Sequence, residues 1–166
     1  MSLEPPTSED ERWLRRCLEL AAEAARADEV PVGALVVIDG TVVGEGRNRV
    51  EERRSPLAHA EMEALQAAFA AVGEKRIPTA TLYCSLEPCF LCAGAILHAR
   101  VARVVFGARD PKFGAVRSLA KLLEDPRLNH RCVVVEGVMA AASGELLRAF
   151  FRDKRPGRGG SDGPVG

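Results

Sequence analysis

Residues 80–107 read ATLYCSLEPCFLCAGAILHARVARVVFG, and the fold turns on how this stretch is parsed. Ala80 to Ser85 is an apolar run of strand-forming residues, and Val101 to Gly107 is another. Between them Pro88 suits the first turn of a helix that runs through Cys89, Cys92, Ile96 and Leu97. A strand, a crossing helix and a second strand pair in parallel, because antiparallel strands need no such connection.

Working outward, Ser8-x-x-Glu11 has the form of a capping box, and Trp13, Leu14, Cys17, Leu18 and Ala21 recur at helical spacing up to about Ala27. Gly33 to Ile38, the turn pair Asp39-Gly40 and Thr41 to Gly46 predict a hairpin. Val50 to Leu57 reads as a charged loop, and His59 to about Val72 as a helix rich in Ala, Leu, Met and Glu. Further on, Ser118 to Leu123 predicts a short helix, Cys132 to Glu136 a fifth strand, and about Ala141 to Arg155 a closing helix. Strands alternating with helices imply an α/β fold: a three-layer α/β/α domain around a five-stranded mixed sheet. We expect one domain over residues 1–155 and a disordered Gly/Pro-rich tail over 156–166.

A chain of 166 residues is long enough to bury a core without disulfide staples. The N-terminus lacks the basic start and apolar stretch of a secretory signal, and no apolar run approaches the ~18 residues of a membrane span. Two of the five cysteines form Cys89-x-x-Cys92, a spacing that suggests metal or redox use, so a cytoplasmic location is expected. Lys+Arg and Asp+Glu both number 23, so net charge offers no general attraction to phosphate backbones, and any nucleic-acid contact must be local. Arg148, Arg152, Lys154, Arg155 and Arg158 form a basic cluster; a helix ending in cations is also favoured by its own dipole, and both explanations stand.

Cys89 and Cys92 lie three apart at a helix start, where the dipole and unpaired N–H groups favour the thiolate that binds zinc. A catalytic zinc site takes three protein ligands and keeps one position for water, and His59, opening its own helix, is the best third ligand. From the first turn the longer Glu61 carboxylate reaches the reacting water as a general base; Glu63, on the same face as His59, is its rival. A lone C-x-x-C is often a redox pair or half of a structural zinc site, but no second C-x-x-C is present. Cys17, Cys84 and Cys132 fall in apolar patterns and read as core, His98 as a helix-end cap, and His130 as a loop histidine of undecided role.

His59-Ala60-Glu61 followed by Pro88-Cys89-x-x-Cys92 matches the H-x-E…P-C-x-x-C signature of zinc nucleobase deaminases. Beyond it, VPVGA at Val30 to Ala34, GEGRN at Gly44 to Asn48, RVVFGARDPKFGA at Arg103 to Ala115 and LNHR at Leu128 to Arg131 resemble the bacterial tRNA-specific adenosine deaminases, in the same order. The likeness runs from about Glu11 to Phe151. The zinc signature is shared with cytidine, cytosine, guanine and deoxycytidylate deaminases, and the later segments choose among them. Ser85 departs from a usual threonine, Phe90-Leu91 from Val-Met, and Arg117 from a glycine.

The resemblance implies a cytidine-deaminase-like fold with one zinc per chain. It implies hydrolytic deamination of adenosine to inosine at the wobble position of a tRNA anticodon, using a zinc-activated water and Glu61 as proton carrier. It places Asn48, Asp110 and Asn129 at the flipped nucleotide, and Lys112, Phe151 and Arg152 along the anticodon loop, in a homodimer whose RNA touches both subunits. Deamination of free guanine or cytosine on the same scaffold, and a noncatalytic RNA-binding or structural-zinc module, remain as alternatives.

Overall fold

The computed structural model describes residues 4–154, and the tail expected over 156–166 lies outside them. In chain order the elements are α1 (Ser8–Arg26), β1 (Gly33–Ile38), β2 (Thr41–Arg47), α2 (Val50–Arg53), α3 (Ala60–Val72), β3 (Thr81–Leu86), α4 (Phe90–Ala99), β4 (Arg103–Ala108), a 3-10 turn (Leu122–Glu124), β5 (Val133–Val135) and α5 (Ala140–Lys154).

The five strands form one sheet in the order β2-β1-β3-β4-β5. β1 is antiparallel to β2 and β3, whereas β3, β4 and β5 run parallel, so the sheet is mixed as the alternation implies. Asp39 and Gly40 close the hairpin with φ of 49° and 72°, the left-handed pair that matches strand twist. Strand alternation divides the core. Leu35, Val37, Tyr83 and Val105 pack on Trp13, Leu14, Cys17 and Leu20 of α1, while Val36, Leu82, Cys84, Val104 and Phe106 face Ala64, Leu65, Ala93 and Ile96 of α3 and α4. α5 lies beside α1 and contacts β3 and β4. The result is the three-layer α/β/α arrangement.

Four expected boundaries shift, each for a local reason. The capping box is Thr7 with Asp10, one residue before the Ser8–Glu11 reading: Asp10 is buried and also accepts from Tyr83 Oη and both terminal nitrogens of Arg103, which fixes the register. The Val50–Leu57 loop contains α2, because the buried Glu29 carboxylate accepts the Glu51 and Glu52 N–H groups at its start. Pro88 stands outside α4 with its carbonyl taken by the Ala115 N–H at 2.9 Å, so Cys89 becomes the N-cap. The helix expected over Ser118–Leu123 is reduced to the 3-10 turn, since the Ser118 N–H is given to Glu87 and the Leu119 and Leu122 N–H groups to Gly114 and Ala115.

Parallel pairing sets the C-terminal ends of β3 and β4 side by side, with Leu86 opposite Ala108. β1 is antiparallel to β3, so its first residues join the same edge, where open α/β sheets bind their ligands.

Candidate metal centre and active site

Both helices on one face of the sheet begin at this edge. His59 is the N-cap of α3 and Cys89 the N-cap of α4, both with extended backbone, and Cys92 follows in the first turn of α4. Neither side chain makes the usual N-cap hydrogen bond, and imidazole and thiol turn instead to a common point. His59 Nδ1 lies 3.3 Å from Cys92 Sγ and 3.5 Å from Cys89 Sγ, and the three ligand atoms all fall within 4.8 Å of one another. Among the described residues this is the one His/Cys/Asp/Glu group with metal-ligand proximity. Two sulfurs and one imidazole nitrogen are the donor set zinc prefers, and three protein donors leave its fourth position open. The cluster is therefore compatible with zinc.

Charges at the cluster are interdependent. The Cys89 thiol is brought down to about 4 by its hydrogen bond with Cys92, against the effect of burial and with help from His59, while Cys92, as the partner holding the proton, is pushed well up. Burial lowers His59, but Cys89 and Glu61 outweigh it and raise the imidazole above its ordinary value. Glu61, only 5% exposed, is raised to about 7 by burial and by the Cys89 charge, with His59 opposing. The neighbouring Cys92 thiol partly offsets that rise. Glu63 is engaged away from the cluster, where its carboxylate pairs with Arg53 and Arg49.

Of the residues that the resemblance places at the nucleotide, two stand near this cluster. Asn48 is 2% exposed, and its Oδ1 is the one buried side-chain polar atom among the described residues with no hydrogen-bond partner. The following residue, Arg49, donates its N–H to Ala58 O beside His59. Asp110 sits in the loop after β4, half-buried, accepting the Lys112 and Phe113 N–H groups at 3.1 and 3.2 Å; burial raises its carboxyl above the ordinary value. The same loop runs against the cluster, with Gly114 bridged to Cys89. Lys112 is exposed on it.

Asn129 stands elsewhere. It is exposed, and its neighbour His130 bonds Val101 O at 2.7 Å, before the first residue of β4, whereas the cluster adjoins the last. The protomer does not bring Asn129 to its own cluster. Phe151 packs edge-to-face on Phe150 at 5.3 Å, and the exposed Arg152 pairs with Glu145 at 3.3 Å. Lys154, in the last turn of α5, pairs with Asp28, so the end of that helix reaches the segment leading into β1. Cys17, Cys84 and Cys132 are buried, as core cysteines should be.

Two residues at this edge escape the sequence reading: Glu29, which caps α2, and Glu87, 2% exposed, whose carboxylate gathers the loop after β4. Their signal is a lone carboxylate set against an apolar run, before Val30-Pro31-Val32 and after Leu82 to Leu86.

An imidazole, two thiols and a buried carboxyl, brought together by two helix starts at the edge of a mixed sheet, define a deaminase. The family model for MafB19-like deaminases matches residues 8–155, and the chain belongs to this deaminase family. It is 43% identical to the tRNA-specific adenosine deaminase of Bacillus subtilis over 148 residues, covering 89% of this chain and 92% of that one. To the tRNA-specific adenosine deaminase of Agrobacterium fabrum it is 42% identical, covering 89% and 97%. A solved structure from work on A-to-I editing by tRNA:A34 deaminases at the wobble position of transfer RNA superposes with a TM-score of 0.79 at 40% identity, over 82% of this chain and 99% of that one. A guanine deaminase from Nitrosomonas europaea superposes at 0.74 with 25% identity, over 90% and 86%.

Proposed function

We propose that this protein is a hydrolase that converts adenosine to inosine at the wobble position of a tRNA anticodon. The observation that carries the chemistry is Glu61, a buried carboxyl in the first turn of the helix that His59 caps, beside the His59–Cys89–Cys92 cluster, where a group that moves protons is needed. The substrate rests on the tRNA-specific relatives, similar over nearly the whole described chain.

His59, Cys89 and Cys92 would hold one zinc per chain. When bound, the metal supplies a Lewis acid that makes a water molecule acidic near neutral pH. Glu61 takes the proton from the attacking water and passes it to N1 of the adenine as the oxygen adds at C6. Glu61 then carries a proton to the departing amino group, so that adenosine and water become inosine and ammonia. The unpaired Oδ1 of Asn48 accepts a hydrogen bond from the bound nucleoside, which removes the cost of a buried polar atom left without a partner. Asp110 lines the same opening. Lys112, Phe151 and Arg152 form an outer rim, offering cations to phosphates and a ring to stacked bases.

Leu57, Phe90 and Leu91 are 55%, 50% and 39% exposed around the start of the two helices, a large apolar area for a free surface, and we assign it to a homodimer interface. No helix of the described residues is long and apolar enough to cross a membrane. All five cysteines are free thiols, which suits the reducing cytoplasm, where we place the enzyme. We read residues 1–155 as one domain.

The deciding experiment compares an anticodon stem-loop carrying a wobble adenosine with free adenosine, guanine and cytosine, reading deaminated product by mass spectrometry. Inosine in the RNA alone is the expected result. Turnover of free guanine would instead favour the activity of the Nitrosomonas relative.

A further inference from the structure

We propose that Glu87 is a positioning residue: its carboxylate draws the loop of residues 109–118 against the Cys89 side of the cluster and so sets where Asp110 and Lys112 meet the nucleotide. The nucleotide part of this statement rests on the function proposed above.

Glu87 is two residues before Cys89 and 2% exposed. Its carboxylate accepts from five donors, all in that loop: the N–H groups of Asp110 at 3.0 Å, Val116 at 3.0 Å, Arg117 at 2.7 Å and Ser118 at 2.9 Å, and Ser118 Oγ at 2.5 Å. A carboxylate has two oxygens and about four lone-pair sites, so this acceptor is saturated by one loop and does nothing else. The backbone repeats the attachment. Glu87 N–H donates to Ala108 O at 2.8 Å, Pro88 O accepts the Ala115 N–H at 2.9 Å, and Cys89 bridges Gly114. Any Cβ at Gly114 would lie 2.2 Å from the Glu87 carboxyl carbon, so glycine there is what lets the loop close over the acid.

The contacts are also selective in place. Val116, Arg117 and Ser118 lie where the sequence begins to favour a helix, and Glu87 takes the N–H groups that such a helix would leave at its start. The buried Arg117 side chain ties the loop to Glu124 and Glu136, and the exposed Arg109 pairs with Glu136 at 2.8 Å. The loop is thus fixed by the Glu87 acid, by the buried Arg117 side chain and by the exposed Arg109. A carboxylate serving stability alone has no reason to spend every acceptor site on the segment that carries Asp110 and Lys112. Because Glu87 and the ligand Cys89 share one short stretch of backbone, the geometry of loop and ligand is set together.

The test uses the zinc-loaded full chain. Glu87→Gln keeps the shape but turns an amide NH2 toward the Asp110 N–H and the Ser118 hydroxyl on one side, or toward the three N–H groups of residues 116–118 on the other. Zinc should remain at one per chain, while amides 110 and 116–118 exchange hydrogen at least ~10-fold faster and those of β1 and α3 do not change. KM for the anticodon stem-loop should rise about 30-fold with kcat lowered less than about 3-fold, since the loop binds and the reacting groups stay in place. Ser118→Ala, which removes one donor and buries no unpaired charge, should shift both readouts in the same direction by about 3-fold. A folded, zinc-loaded Glu87→Gln with ordinary KM and ordinary loop exchange overturns the proposal and leaves a stability staple. If Glu87→Gln does not fold, an unchanged Ser118→Ala overturns it equally. Failure of the unaltered protein to make inosine in RNA refutes the substrate, and the exchange comparison still decides whether Glu87 positions the loop.

Discussion

Gly46→Ala should cripple the reaction without touching a reacting group. On β2, Gly46 lies against the first turn of α3, and a Cβ there would sit 2.3 Å from Ala60 O, 2.6 Å from Ala64 N and 2.8 Å from Glu63 Cβ. Comfortable contacts begin near 3.4 Å, so α3 must lift away by roughly 1 Å. Overpacking of this kind costs about 1–3 kcal/mol of stability. The larger effect is at the end of the helix, because His59 is its N-cap and Glu61 its second residue. A displacement of ~1 Å at reacting groups costs on the order of 100-fold in rate. Gly44→Ala is the matched control: its Cβ would meet Ala64 O at 2.2 Å and Ala68 N at 2.8 Å, the same crowding but deeper along the helix. Urea denaturation should show similar destabilisation for the two variants, and kcat on the stem-loop should fall much further for Gly46→Ala. Equal loss of kcat in both, or an unaffected Gly46→Ala, would refute the claim that this contact sets the position of the helix start.

Glu61→Gln should retain zinc and RNA binding yet lose about 10²–10⁴-fold in turnover, and Glu63→Gln, which only frees Arg49 and Arg53, should be far milder; the reverse order would move the proton carrier to Glu63. Metal analysis should find Cys89→Ala and Cys92→Ala depleted of zinc and Cys84→Ala fully loaded, and full occupancy in either of the first two removes the proposed site. Raising salt should weaken activity on RNA, with a shallower dependence in Lys112→Ala and Arg152→Ala, because each lost phosphate contact releases fewer counterions. Activity indifferent to salt would argue for a small free base as substrate.

Sequence patterning reached the sheet order only in outline but placed every strand within a few residues, because period-two apolar runs bounded by Gly, Pro and Asp are local signals. The His59, Glu61, Cys89 and Cys92 constellation was equally legible, since two spacings constrain four residue types. Position at a helix start was visible for both pairs; that α3 begins one residue after His59 and α4 two after Pro88 was not, the latter because the Pro88 carbonyl takes the N–H of Ala115 from a distant loop. Glu29, Glu87 and Asp10 were invisible for the same reason. Each is a buried carboxylate whose partners lie 22 or more residues away in most cases, and no sequence window contains both ends of such a bond. Asn129 shows the opposite limit: similarity of a motif carried a role for it that the distance along β4 does not support within one protomer.

The placement of all three candidate ligands at the starts of two neighbouring helices has an evolutionary consequence. The proposed reactive set is confined to a compact block of chain from His59 to Cys92, while the segments we propose to meet the substrate, around Asn48, Asp110 and α5, lie before and after it. Insertions, deletions or exchanges in those flanks can retune what is admitted without disturbing what reacts. Such an architecture invites descent by substitution of the margins around an inherited centre, and it accounts for a guanine deaminase sharing this scaffold at 25% identity.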